Sequence, residues 1–165
     1  AGRVAAEGAV GSYVHMGGKI GVLCEINCET DFVAKNEDFQ QFVRDICMHI
    51  AAMGPVYLTS AEIPSEDIAK QREIYAGQMR ESGKPEQIIE KIVDGKIKKL
   101  HSEVCLMDQT FVKDNDSTIT DLLNQMVSKI GENIQIRRFV RFGLGDGIEK
   151  REDDFAAEVA AAAGQ

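Results

Sequence analysis

Val10-Gly11-Ser12-Tyr13-Val14-His15-Met16-Gly17-Gly18-Lys19-Ile20-Gly21-Val22-Leu23-Cys24-Glu25-Ile26-Asn27-Cys28 is the stretch that decides the fold class. Its pattern has the two-residue period of a strand. Val10, Ser12 and Val14 share one face of the first arm, and Ile20, Val22, Cys24, Ile26 and Cys28 share one face of the second. Between the arms, Gly17 and Gly18 tolerate the positive φ that a tight turn demands. The spacing therefore predicts a β-hairpin with His15 and Met16 at its tip.

Beyond the hairpin the period becomes helical. Phe39, Phe42, Val43, Ile46, Ile50 and Met53 form one stripe, Asn36 is suited to cap its start, and Gly54-Pro55 stops it. Residues 65–106 read as two helices joined at Ser82-Gly83-Lys84-Pro85, a joint short enough to force an antiparallel pair. Ile68, Tyr75 and Met79 are expected to face Ile89, Ile92, Lys96 and Leu100, a thin seam flanked by charge that projects from the body. A further helix begins near Thr118, carries Ile119, Leu122, Leu123, Met126, Val127 and Ile130, and ends at Gly131. A third strand follows, with Ile134, Ile136, Arg138, Val140 and Phe142 alternating with Gln135, Arg137, Phe139 and Arg141, although Phe139 blurs the polarity.

The expected fold is α+β: a three-stranded antiparallel sheet covered by helices, a projecting antiparallel helical hairpin and a C-terminal helix. Residues 1–142 form the core domain, hairpin included. Residues 143–165 form a flexible glycine-rich joint and an alanine-rich helix from Ile148 to Ala163, in which Phe155 and Val159 pair.

A chain of 165 residues with 44% apolar content supports one domain with a real core. Its 27 acidic against 19 basic residues leave a formal charge of -8, which repels nucleic-acid phosphate and anionic membranes and favours a protein partner. The short basic groups, Lys96, Lys98, Lys99 and Arg137, Arg138, Arg141, are interleaved with apolar residues and read as solvated faces. Cys24, Cys28, Cys47 and Cys105 lack the spacing of a secreted disulfide framework, which points to a reducing compartment. No apolar run approaches the roughly 20 residues that span a bilayer. The chain opens on Ala1, so a domain cut from a longer precursor is expected.

Catalytic motifs fail on inspection. A phosphate-binding loop ending in Gly18-Lys19 needs glycine where Tyr13 stands and serine or threonine where Ile20 stands. The run Gly143-Leu144-Gly145-Asp146-Gly147 lacks the βαβ unit that would make it a phosphate cradle. Cys24 and Cys28 lie about 13 Å apart by strand rise, too far to share a metal ion or a disulfide. His15, His49 and His101 are scattered, and His49 reads as a side or core histidine. No catalytic residue, cofactor or metal is expected, and the chain is not read as an enzyme.

One segment departs from its local rule. Thr30-Asp31-Phe32-Val33 lies between strand and helix, where small polar turn residues are usual, yet it carries an aromatic. Phe32 and Val33 could tuck beneath the sheet with Asp31 as a helix cap; physics alone favours that. Alternatively Phe32 is presented to a pocket on a partner. Residues 25–35, Glu-Ile-Asn-Cys-Glu-Thr-Asp-Phe-Val-Ala-Lys, resemble the signature of the elongation factor Ts family nearly letter for letter. Gly11 to His15, Met48 to Ala52, Gly83 to Pro85, Ile130 to Ile134 and Asp154 to Val159 are also similar to family segments.

The resemblance implies a guanine-nucleotide exchange factor for the translation GTPase elongation factor Tu. It implies that Thr30, Asp31, Phe32 and Val33 enter the first domain of that GTPase and disturb the magnesium side of the bound nucleotide. More weakly, it implies that the tip at His15 and Met16 touches the third domain and that Phe155 meets the first. The chain resembles the short form of the family, which lacks an N-terminal helical module and holds one core copy, so a homodimer is expected. The bacterial cytoplasm, or a plastid stroma or mitochondrial matrix, is the expected location. The competing reading is an adaptor domain that binds a protein through its helical hairpin without affecting nucleotide; a thiol or hydrolytic enzyme ranks far below both.

Overall fold

The alternation of residues 10–28 becomes two antiparallel strands, β1 (Glu7–Val14) and β2 (Ile20–Cys28), closed by a turn in which Gly17 and Gly18 adopt φ of 88° and 68°. The computed structural model describes residues 3–149 and 161–162. After β2 come α1 (Asp31–Ala34), α2 (Glu37–Met53), α3 (Ser65–Arg80) and α4 (Glu86–Val104). A short hairpin of β3 (Thr110–Phe111) and β4 (Asp114–Thr118) leads into α5 (Ile119–Ile130) and β5 (Gln135–Gly143). The main sheet is three-stranded and antiparallel with order β1-β2-β5, so the last strand returns beside β2.

The core forms where α2 lies on the inner face of this sheet. Phe39, Phe42, Val43, Ile46 and Ile50 pack against Val22, Cys24, Ile26 and Ile136, with Ile119 of α5 and Leu106 closing the edge. Burying a side chain such as Phe39 stabilises by about 1.5–3 kcal/mol relative to leaving it exposed. Gly11 sets the closeness of approach: a Cβ there would lie 2.3 Å from Val43 Cγ1 and 2.9 Å from Cys47 Sγ. All four cysteines are buried and free, as core packing requires. The Cys24 thiol is pushed up by its hydrogen bond with Cys47 and by burial, which keeps it protonated.

Local capping fixes the helix ends where the sequence marks them. Asn36 Oδ1 accepts from the Asp38 N–H at 2.8 Å and the Phe39 N–H at 3.4 Å. Thr118 and Asp121 form a reciprocal capping box on α5, and Gly54 and Gly131 close α2 and α5 in the left-handed conformation. The α3–α4 hairpin packs on itself around a cluster separate from the main core. Its seam is shifted from the expected one: Ile89, Val93 and Ile97 are the buried residues on α4, while Ile92 is only half-buried. The expected contact of Tyr75 with Lys96 is present, the ammonium sitting 5.2 Å from the ring centroid.

The sequence pattern of the third strand breaks at a bulge. Glu25 pairs with Arg138 and Ile26 with Ile136, so Arg137 is the extra residue, and the inward face passes from Ile136 to Phe139 and Arg141. Arg138, Val140 and Phe142, expected on the apolar face with Ile134 and Ile136, instead point outward. Inside, the Arg141 guanidinium donates to the Ala51 carbonyl at 3.3 and 3.1 Å, near the C-terminal end of α2 where positive charge is favoured. Outside, Arg137 and Arg138 both grip Glu25, at 2.8 and 3.0 Å, and the Arg137 hydrogen bond first of all holds that carboxyl below the usual range.

One further expectation meets a different outcome, and another lies largely outside the described residues. Gly143 to Gly147, expected as a flexible joint, forms a bonded turn: the Gly143 N–H donates to Asp146 Oδ2 at 3.0 Å and the Leu144 N–H to the Lys19 carbonyl at 2.7 Å. The expected helix from Ile148 to Ala163, with Phe155 in it, lies outside the described residues apart from 148–149 and the helical residues 161–162.

His49 is buried and neutral by design of its partners. Its Nδ1 accepts the Val112 N–H at 3.1 Å and its Nε2 donates to Gln109 Oε1 at 2.9 Å, while Gln109 donates on to the Glu103 carbonyl at 2.9 Å. Burial, only partly offset by the Gln109 hydrogen bond, holds the imidazole below its ordinary pKa. Protonation would set one N–H against another at Val112. The unfolded chain therefore binds this proton more readily, and the contribution of His49 is complete above about pH 6.5 and falls as pH drops toward the lowered folded value. Urea unfolding between pH 7 and 5 is expected to lose up to about 1.4 kcal/mol per pH unit from this group, a slope that His49→Gln flattens.

Candidate functional site

The segment after β2 is held by both of its ends. Thr30 keeps an extended conformation (φ -127°, ψ 146°), and its hydroxyl oxygen accepts the Val33 N–H at 3.2 Å, which starts the one-turn helix α1. Only Lys35 and Asn36 separate α1 from α2, and the Asn36 N–H donates to the Val33 carbonyl at 2.9 Å. From sequence this segment is a junction between strand and helix; four residues are too few to show helical periodicity, so the turn of helix has no sequence signal.

Helical phase sorts the four candidate side chains. Val33 and Ala34 face the core, with Val33 9% exposed, whereas Phe32 stands 84% exposed on the opposite side. Asp31 is exposed and paired with Lys35 at 2.5 Å, one turn along. The capping role considered for Asp31 belongs to Thr30. Of the four, Phe32 alone offers a large apolar surface outward, and Val33 is what anchors the turn that displays it.

Acidic side chains lock the segment to the turn after α5. Glu132 Oε1 accepts the N–H of Glu29 at 3.1 Å and of Thr30 at 3.2 Å, and Glu132 Oε2 accepts the Thr30 hydroxyl at 2.8 Å. In return Glu29 Oε1 accepts the Asn133 N–H at 2.8 Å, and Arg3 lies 3.6 Å from Glu29 Oε2. Beneath them, burial and then the nearby Glu132 carboxylate raise the pKa of Cys28, which as a thiol donates to the Thr30 carbonyl at 3.2 Å. Glu132 lies in Ile130–Ile134, one of the segments similar to the family, but its role here is not legible from spacing, because the residues it joins lie more than a hundred positions away.

His15 and Met16 sit at the other end of β2. Tyr13 Oη is 3.0 Å from His15 Nδ1, Met16 is exposed, and the His15 N–H donates to the Ile20 carbonyl at 2.9 Å. The hairpin borders a groove of about 410 Å³ whose lining includes Ile20, Met48, Val112 and Arg141. At about 3.3 Å per residue, β2 holds this tip and Phe32 roughly 25–30 Å apart. The two expected contact regions are therefore joined by one strand but not gathered into one pocket. Among the described residues, no cluster of three or more His, Cys, Asp or Glu side chains is arranged to hold a metal ion.

Phe32 thus stands exposed on a helical turn that is held at both of its ends. Residues 2–146 match the family described as Elongation factor TS. The elongation factor Ts of Geobacter sulfurreducens is 62% identical over 164 residues, covering 99% of this chain and 76% of that protein. That of Geobacter metallireducens is 60% identical over the same shares, and that of Carboxydothermus hydrogenoformans 57% identical over 162 residues, 98% of this chain and 75% of the relative. A family match over residues 2–146, with relatives about 60% identical over nearly the whole chain, makes this chain a member of the elongation factor Ts family.

Proposed function

We propose that the chain is a guanine-nucleotide exchange factor for elongation factor Tu, acting in the cytoplasm, and that Phe32 is the residue it inserts beside the magnesium and phosphate site. The observation that carries the reading is the Phe32 ring, held out by a helical turn whose next two residues are buried. An exchange factor binds the empty GTPase more tightly than the loaded one, and linkage makes it weaken GDP by the same factor. Burying one phenylalanine supplies about 1.5–3 kcal/mol, roughly 10- to 100-fold. Opposing a tightly held nucleotide takes more, so the tip at His15 and Met16 and the C-terminal segment around Phe155 supply further contacts. No bond of the nucleotide is made or broken, so the activity needs no catalytic group or cofactor from this chain.

The outer sheet face supports a second part of the proposal, a homodimer. Across the strands it presents the rows Val14-Gly21-Phe142, Ser12-Leu23-Val140 and Val10-Glu25-Arg138. Val10, Val14, Leu23, Val140 and Phe142 are all exposed there, whereas Val22, Cys24 and Ile26 on the inner face are buried in the core with α2. A flat apolar sheet face is best matched by another at the spacing of about 10 Å seen in sandwiches, and a second copy supplies one.

Release of a fluorescent GDP from elongation factor Tu tests the function. The full-length protein in excess is expected to accelerate release at least about tenfold, which corresponds to 1.4 kcal/mol of barrier. Binding without acceleration would instead support an adaptor acting through the α3–α4 hairpin, and absence of both would overturn the proposal.

A further inference from the structure

The turn of helix that carries Phe32 is too short to hold its own direction. Helix formation needs a costly nucleus, and a single turn gains little from propagation. Its orientation comes from the buried pair Val33 and Ala34 on one side and from Glu132 on the other. We infer that Glu132 is a positioning residue for exchange, fixing the direction in which Phe32 is presented; the inference rests on the exchange reading above.

The hydrogen-bond inventory explains how. A threonine hydroxyl has one proton and two lone pairs. Thr30 gives its proton to Glu132 Oε2 at 2.8 Å, which turns a lone pair of the same oxygen toward the Val33 N–H at 3.2 Å. Glu132 therefore sets the rotor of the helix cap as well as holding the two preceding backbone N–H groups of Glu29 and Thr30. The carboxylate is itself placed by Gly131, whose left-handed φ of 78° ends α5 and turns the chain toward the sheet. Asn133 completes the exchange of bonds, giving its N–H to Glu29 at 2.8 Å and its side-chain amide to the Arg3 carbonyl at 3.0 Å. Five of these bonds join residues more than a hundred positions apart at one turn, a concentration that the covering of a sheet edge does not call for.

Without Glu132 the freed N–H groups of this partly exposed segment turn to water, so the fold survives while the direction of α1 loosens. A displacement of about 1 Å in a positioned group is enough to cost about a hundredfold in rate. The experiment is stopped-flow release of fluorescent GDP from elongation factor Tu at varied concentrations of the full-length protein. Glu132→Ala is expected to lower the maximal release rate about tenfold or more while changing the half-saturating concentration less than about threefold. Glu132→Gln, whose amide oxygen still accepts both N–H groups and whose amide N–H donates to the Thr30 hydroxyl oxygen in place of accepting its proton, keeps all three anchor points and is expected to return to within about threefold of the unsubstituted protein.

A merely structural role would cost the same with or without the ring. Placed on Phe32→Ala, Glu132→Ala is instead expected to add less than about twofold, because there is no longer an aromatic to aim. A wild-type maximal rate for Glu132→Ala, or an equal loss in both backgrounds, overturns the inference while leaving the exchange reading intact. A wild-type maximal rate for Phe32→Ala alone removes the role of Phe32 and this inference with it, and failure of the unsubstituted protein to accelerate release removes the exchange reading. Should Glu132→Ala fail to fold, Glu132→Asp, too short to reach both anchor points, carries the same expectation and the same overturning result.

Discussion

Phe32→Ala is expected to slow the maximal rate of GDP release from elongation factor Tu by roughly 10- to 100-fold, the range that corresponds to burial of a phenylalanine in the complex. Stability should move by no more than about 0.5 kcal/mol, because the ring lies outside the core and its removal opens no cavity. The affinity for the GDP-loaded GTPase should fall less than the release rate, since the ring gains its contacts only as the nucleotide leaves. That split distinguishes a wedge from a handle. A handle contributes equally to every complex, so its loss would weaken binding and leave the maximal release rate unchanged, whereas a wedge gains its contacts as the nucleotide site opens. Stopped-flow release and equilibrium binding on the same preparation decide the matter, and equal losses in both would count against the wedge.

Leu23→Asp is expected to weaken self-association at least about a hundredfold, the scale of leaving an unpaired carboxylate in an apolar interface. Leu23 is the middle residue of the middle row, flanked by Ser12 and Val140. It is 50% exposed within a single copy, so the substitution leaves the core beneath untouched and the monomer folded. Sedimentation equilibrium at micromolar concentration should show dimer for the unsubstituted protein and monomer for the variant. A monomeric unsubstituted protein, or a variant that still pairs, would remove the proposed sandwich. Glu25 sits in the same face at its edge row, where its carboxylate is already paired with Arg137 and Arg138.

The sequence revealed those parts of the fold whose causes are local. Asn36, Gly54, Pro85, Thr118 and Gly131 each act within one helical turn, and every helix boundary they mark agrees with the structure to within a few residues. The faces of β2 followed from simple alternation. The face of β5 did not, because the bulge at Arg137 is a relation between two strands and leaves no trace in the period of either one. The β3–β4 hairpin escaped notice for a related reason: Asp114 to Thr118 is polar throughout, and its strand conformation comes from pairing with Thr110 and Phe111. The candidate site was legible as an anomaly, an aromatic in a turn, but its display on a helical turn and its fastening by Glu132 depend on contacts that sequence spacing does not encode.

β2 also works as a gauge. Its two ends carry the turn with Phe32 and the tip with His15 and Met16, and rigid pairing on both flanks forbids the strand from stretching. Adding or deleting one residue would alter that span by about 3.3 Å and, at the same stroke, exchange the side chains meant for the interior with those meant for the outside. Under the proposed function one partner meets both extremities, and the length of this strand then sets the distance between the two contact points.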